Sequence, residues 1–337
     1  MKKQITVGII GAGRIGRVHA QSIAHHIPGA RIKTIADVFL NEETKKWAEN
    51  LGVENTTQDY MDILNDPEIE AVLICSSTNT HAQFTIASAR AGKHIFCEKP
   101  LDPSVERIKE TLKVVEEAGV KFQIGFNRRF DHNFQAVKKT IIDGKIGEPH
   151  IIRITSRDPE PPNPEYVKVS GGIFMDMTIH DFDMARFLSA SEVEEVYVQG
   201  AVLVDPEIGK AGDIDTAVIT LKFKSGALGI IDNSRKAVYG YDQRAEVFGS
   251  GGAVETSNDS LSSAVVSTAS GIESEKPLYF FLERYMASFT QEMKEFFEAV
   301  SNNTETPVGP LDALRPVQIA NAAGESLRTG LPVKVES

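Results

Sequence analysis

Apolar positions in the first third of the chain fall in short unbroken runs. Val7-Gly8-Ile9-Ile10, the run from Arg31 to Ala36, Ala71-Val72-Leu73-Ile74-Cys75 and His94-Ile95-Phe96-Cys97 each read as a strand buried on both faces. Helical patterns lie between and after them, including one that closes at His25 and another from Val105 to Ala118. Strands that alternate with helices pair in parallel, so this region predicts a doubly wound α/β sheet.

After Lys121-Phe122-Gln123-Ile124-Gly125 the pattern changes. Asp131 to Ile142 reads as a helix, Asp143 to Gly147 as a turn and His150 to Thr155 as a strand. From Asp213 to Phe223 the period is two, with Ala217, Ile219, Leu221 and Phe223 on one largely apolar face. Ser225-Gly226 predicts a hairpin turn into Ala227–Ile231, and Gln243–Phe248 with Ala253–Thr256 extends the sheet. Ser257 to Glu275 is polar and serine-rich, which predicts a long loop. Helices are expected near Phe281–Val300 and Leu311–Arg328. The expected organisation is a nucleotide-binding domain over 1–125 and an α+β domain over 126–337, the second built on a large, mostly antiparallel open sheet.

The first strand runs into Gly11-Ala12-Gly13-Arg14-Ile15-Gly16, and a helix follows. An acid, Asp37, closes the second strand 21 positions after Gly16. That context turns a weak G-x-G-x-x-G match into a dinucleotide-binding reading on a Rossmann fold. Gly11 permits the tight turn, Gly13 the approach of a pyrophosphate, and Gly16 close packing of helix on strand. Arg14 and Ile15, inside the motif, count with it as cofactor contacts. The helix N-terminus offers N–H groups and a positive dipole end to the phosphates. Asp37 would accept hydrogen bonds from the adenosine ribose. It would repel a 2′-phosphate, and Val38-Phe39-Leu40 holds no arginine to attract one, so NAD is expected over NADP.

Two further loops follow strands. Ser76-Ser77-Thr78-Asn79-Thr80-His81 carries groups suited to a nicotinamide ribose: Ser76, Thr78, Asn79 and His81 are the expected contacts. A plain Ser/Thr turn would account for the same residues. Glu98-Lys99-Pro100 presents a lysine where its charge can orient a hydroxyl or an oxyanion, with Glu98 on the cofactor side.

The stretch Gly171 to Phe187 reads as one helix with Asp176, His180 and Asp183 along one stripe, flanked by Met, Ile and Phe. Short polar groups in apolar company are either a buried network or a proton-transfer site. Asp183 is assigned a structural part. A metal on the three is disfavoured, because hydride transfer needs none and no cysteine assists.

Composition narrows the classes. With 41% hydrophobic and 25% charged residues the chain is ordinary globular protein, and its formal charge of −11 disfavours nucleic-acid and anionic-membrane partners. No apolar stretch is long enough to span a bilayer, and the apolar run before Gly11 is too short for a signal segment. Cys75 and Cys97 give neither a disulfide framework nor metal-ligand spacing, which suits a reducing cytoplasm.

The ordered set of the glycine motif, Cys97-Glu98-Lys99-Pro100 and the Asp176/His180 pair resembles the Gfo/Idh/MocA family over essentially the whole chain. The resemblance implies NAD-dependent oxidation of a carbohydrate carbon without metal, with homotetramers common. It implies that Lys99, Asp176 and His180 are catalytic, and that Arg128 and Tyr239 contact substrate, although Arg129 and Tyr241 stand close by. Asp158, and more weakly Asn163, are candidate polyol contacts. Inositol dehydrogenases of the family carry a histidine before the arginine where this chain has Ser156-Arg157-Asp158-Pro159. The expected activity is oxidation of myo-inositol or scyllo-inositol to the inosose. The alternatives are an aldose substrate, or a non-catalytic sugar or dinucleotide sensor on the same fold.

Overall fold

The computed structural model describes residues 4–336. The first half comprises β1 (Ile5–Ile10), α1 (Arg14–His26), β2 (Ala30–Ala36), α2 (Glu42–Asn50), β3 (Asn55–Thr57), α3 (Met61–Leu64), β4 (Ala71–Ile74), α4 (Thr78–Arg90), β5 (His94–Glu98), α5 (Val105–Ala118) and β6 (Phe122–Gly125). There follow α6 (His132–Ile142), β7 (Pro149–Arg157), α7 (Pro164–Ser170), α8 (Ile179–Ser189), β8 (Val193–Ala201), α9 (Pro206–Lys210), β9 (Thr216–Phe223), β10 (Leu228–Ser234), β11 (Asp242–Gly249) and β12 (Gly252–Glu255). A small hairpin, β13 (Val265–Thr268) and β14 (Gly271–Ser274), precedes α10 (Phe281–Arg284), α11 (Met286–Asn302), α12 (Pro310–Thr329) and β15 (Val333–Lys334).

These elements form two compact units. One holds the chain up to Phe130 together with Ala287–Val317, and the other holds Asp131–Met286 with the chain from Gln318. The boundary therefore lies five residues beyond the expected 125/126, and a later segment returns to the first unit. The cause is packing. Met293, Phe296 and Phe297 of α11 join the apolar cluster formed by β1, β2 and β4, which a helix read as part of the second domain would leave uncovered.

The first unit contains a six-stranded sheet in the order β3-β2-β1-β4-β5-β6, with every pair parallel. The order reverses between β1 and β4, and loops beyond the carboxyl ends of strands at such a switch point bind ligands. Local chemistry sets the helix ends. Asn41 accepts from Thr44 N to start α2, Ser104 from Arg107 N to start α5, and Gly119 in the left-handed region ends α5.

The second unit carries a seven-stranded sheet in the order β12-β11-β7-β10-β9-β8-β15. Only β7 and β10 pair in parallel; every other neighbouring pair is antiparallel. The alternation of β9 holds: Ala217, Ile219, Leu221 and Phe223 are buried, while Val218 faces outward. The serine-rich stretch is not all loop, since β13 and β14 pair within it, exposed throughout. The helix expected over 281–300 is broken at Tyr285, a buried residue packed against Tyr241.

Candidate active site

The glycine motif closes the turn between β1 and α1. Gly11 has φ +105°, and a Cβ there would lie 2.6 Å from the backbone of Cys75. A Cβ on Gly16 would lie 2.0 Å from the carbonyl oxygen of Gly11. Gly13 differs, because a Cβ there would meet nothing within 4 Å. The fold therefore demands Gly11 and Gly16, whereas the space over Gly13 is room for a ligand. Gly13 caps α1 with no side-chain acceptor and the first turn holds no acid, so a phosphate fits the positive end of the helix there. Arg14 is exposed and Ile15 half-buried beside them.

Asp37 is half-buried at the end of β2. Its carboxylate accepts from Ala12 N at 2.7 Å and from Phe39 N at 2.8 Å. It thus anchors the glycine turn itself, and lone pairs remain on each oxygen for a ribose diol. Across the switch point, Ser76, Thr78 and Asn79 open α4 with side chains half-buried or exposed, and Ser76 Oγ lies 2.7 Å from Thr80 Oγ1.

His81 and Glu98 are placed differently from the expectation of cofactor contact. His81 is 2% exposed, with Nδ1 2.8 Å from Pro100 O and Nε2 3.0 Å from Ser76 O. A neutral ring donates to only one of these carbonyls. Burial pushes the imidazole pKa down, and the two carbonyl bonds offset part of that effect. His81 therefore ties the loop after β4 to the loop after β5 and supports the cofactor loops from behind. Glu98 is buried as well, with Oε1 2.7 Å from Nε2 of His19 on α1. His19 carried no sequence signal beyond a place on the inner face of α1. Between these two anchors stands half-buried Lys99, joined to Pro100 by a cis peptide.

Beyond β6, a single 3₁₀ turn over Asn127–Phe130 separates the two arginines. Arg129 is committed to Asp312 at 2.7 Å, and Arg128 is buried.

In the second unit the predicted helix over 171–187 is interrupted. Phe174–Thr178 form a π-helical turn, and α8 begins only at Ile179. Such turns widen the helix by a residue and re-aim its side chains, so Asp176 and His180 lie about one turn apart but across a change of pitch. Asn233 of β10 fixes this segment. Its Oδ1 accepts from Thr178 Oγ1 at 2.6 Å, and its Nδ2 donates to Asp181 Oδ2 at 2.9 Å and to Ser156 O at 3.3 Å. Asp183 is buried and lies 3.8 Å from Arg186.

The half-buried carboxylate of Asp176 accepts from Tyr166 Oη at 2.9 Å and from Arg235 Nη2 at 3.0 Å. Arg235 Nη1 reaches Asp158 Oδ2 at 3.1 Å. Sequence reasoning missed Arg235. The parallel register sets Arg157 opposite Ser234, which brings Asp158 beside Arg235 although they are 77 positions apart. Asp213 was missed too. Its Oδ2 is buried without a hydrogen-bond partner, and burial raises its carboxyl pKa, with the Asp176 charge adding to the rise.

Tyr239 and Tyr241 separate cleanly. Tyr241 is buried against Tyr285, while Tyr239 is 39% exposed. The Tyr239 hydroxyl donates to Asp242 at 2.6 Å and accepts from Arg157 Nη1 at 3.0 Å. Arg157 in turn pairs with both oxygens of Asp232, which raises its pKa. Asn163 caps α7 by accepting from Glu165 N at 2.9 Å, an ordinary helix start.

Two family descriptions match this chain. Residues 5–126 match the oxidoreductase family with NAD-binding Rossmann fold, and residues 134–255 match the Gfo/Idh/MocA C-terminal domain. The chain belongs to the Gfo/Idh/MocA oxidoreductase family. It is 52% identical over 336 residues to the uncharacterized oxidoreductase YrbE of Bacillus subtilis, covering 100% of this chain and 98% of the relative. It is 49% identical to the myo-inositol 2-dehydrogenase of Thermotoga maritima, covering 98% of each chain. Among solved structures, the scyllo-inositol dehydrogenase of Lactobacillus casei with bound NAD(H) and scyllo-inositol superposes with a TM-score of 0.92. That pair is 31% identical, with 99% of this chain and 100% of the other covered. The first of these matches assigns NAD binding to the Rossmann unit that carries the glycine turn.

Proposed function

We propose that this family member is an NAD-dependent inositol 2-dehydrogenase, oxidising the secondary hydroxyl of myo-inositol or scyllo-inositol to the inosose. The observation that carries the reading is Asp176, bonded by a buried guanidinium and a tyrosine hydroxyl one turn before His180. The names of full-length relatives and the bound scyllo-inositol of the Lactobacillus casei enzyme support the substrate class.

When bound, NAD supplies the hydride acceptor. Each residue then has a defined task. Imidazole, with an ordinary pKa near ~6.5, suits His180 to take the hydroxyl proton near neutral pH. Asp176, one turn earlier, places negative charge that favours the charged form of the ring. Lys99 is assigned the stabilisation of alkoxide charge as it develops. Arg128, Asp158 and Tyr239 supply donors and acceptors that select the polyol.

The test is NADH formation, followed by absorbance, over a panel of inositols and aldoses. Oxidation of an inositol is expected. Activity on glucose with none on any inositol overturns the substrate, and NAD binding without turnover on any member of the panel favours a sensor.

The same reading includes a cytoplasmic homotetramer. Free, buried Cys75 and Cys97 suit a reducing compartment. Phe248, Ile151 and Leu228 sit side by side across β11, β7 and β10, and Phe248 and Leu228 are among the exposed large apolar residues, a row suited to subunit contact. Light scattering on the purified chain is expected to give four times the monomer mass, and a monomer at micromolar concentration counts against the assembly.

A further inference from the structure

Three carboxyl groups and one guanidinium gather behind the catalytic helix. Arg235 is only 3% exposed and spends its two terminal amino groups on different partners, Asp158 and Asp176. Those partners come from separate elements: Asp158 follows β7, and Asp176 lies in the π-helical turn. The second oxygen of Asp176 is taken by Tyr166 of α7. Asp213 is the third carboxyl, close enough that both Arg235 and Asp176 act on its charge.

We propose that Arg235 is a positioning residue for the dehydrogenase reaction, locking the carboxylates of Asp176 and Asp158 into one charged unit and thereby setting the proton affinity of His180. The inference rests on the assignment of His180 as base. A buried guanidinium keeps its charge at any accessible pH, and it forms two separate charge-assisted bonds here. It neutralises one of two carboxylates. Burial raises the carboxyl pKa of Asp213, and around Arg235 two carboxylates face one guanidinium, which leaves an excess of negative charge. That residual charge lies one turn from the imidazole. Negative charge there favours the imidazolium formed when the substrate proton arrives.

The sign of the consequence is fixed. Without the guanidinium, Asp176 and Asp158 lose their cation and hold protons more tightly. The uncompensated charge of whichever carboxylate stays ionised also holds a proton on His180. The active form needs Asp176 ionised and His180 neutral, so both effects move the acidic limb of kcat/KM to higher pH. Removing Asp158 instead leaves the guanidinium to Asp176 alone and moves that limb to lower pH.

The experiment measures pH profiles of kcat/KM with myo-inositol for the wild type, R235K, R235M and D158N. NMR titration of the His180 ring in the NAD-loaded proteins runs in parallel. R235M is expected to lose about 10²-fold in kcat, on the scale of a misplaced proton-transfer group, with the limb and the His180 titration both shifted upward. R235K, keeping the charge but not the fork, is expected to restore the limb and only part of kcat. D158N is expected to shift both readouts downward, and it stands in for R235M should that protein fail to fold. A profile and ring titration unmoved by either R235M or D158N overturn the proposal. A wild type that turns over no polyol overturns the dehydrogenase reading instead, while the ring titration still reports on Arg235.

Discussion

His180→Asn is expected to lower kcat by about 10²–10⁴-fold while leaving NAD affinity unchanged. Losing a hydride from a secondary alcohol without losing the hydroxyl proton would leave a protonated ketone, so a base must act as the hydride departs. Asparagine nearly matches the imidazole in size and still hydrogen-bonds, but it cannot accept that proton. The fold should tolerate the change. His180 is half-buried at the start of α8, and the segment is anchored independently by Asn233 through Thr178 and Asp181. The NAD cradle lies in the other compact unit, so cofactor binding need not follow. Steady-state NADH formation and calorimetric titration with NAD separate the two effects. A variant that keeps more than about a tenth of wild-type turnover removes His180 from the chemistry.

Gly16→Ala is expected to raise the NAD dissociation constant by about 10–100-fold and to lower the melting temperature. The new methyl would stand 2.0 Å from the carbonyl oxygen of Gly11 and 3.3 Å from the Cβ of Cys75. The first neighbour is backbone and cannot swing aside. Either α1 moves off β1 or the turn opens, and each path displaces the N–H groups that face the phosphates. Overpacking of this kind costs about 1–3 kcal/mol. The same distortion at the cradle gives the stated loss, since about 1.4 kcal/mol is tenfold in affinity. Gly13→Ala is the control, with no protein atom within 4 Å of the added methyl. It should melt like the wild type and still bind NAD poorly, because its methyl occupies space left for the pyrophosphate. Equal NAD affinity in wild type and both variants would place the cofactor elsewhere.

The cofactor half of the site was legible because its signals are local. A strand, a glycine turn, a helix and an acid at the next strand end lie within 33 residues, from Ile5 to Asp37, and backbone sterics dictate the glycines. His81 and Glu98 were readable as residue types at strand ends but not by direction. Both turn inward, to Ser76 and Pro100 in one case and to His19 in the other, and which way a loop side chain points depends on what it packs against. The Asp176/His180 stripe was legible as composition, yet its π-helical turn was not, because periodicity assumes constant pitch.

From sequence alone came the doubly wound first unit, the largely antiparallel second sheet, NAD as cofactor and the proposal of Lys99, Asp176 and His180 as the catalytic set. Each rests on spacing within one or two elements, or on an ordered motif set that resembles a family. Tertiary structure alone decided that α11 covers the first unit, that Arg129 belongs to Asp312, and that Arg235 bridges Asp158 and Asp176. These pairings join residues 59 to 183 positions apart. Local pattern carries no information at that range, because a parallel strand pair or a returning helix is selected by the surface it buries rather than by its neighbours in the chain.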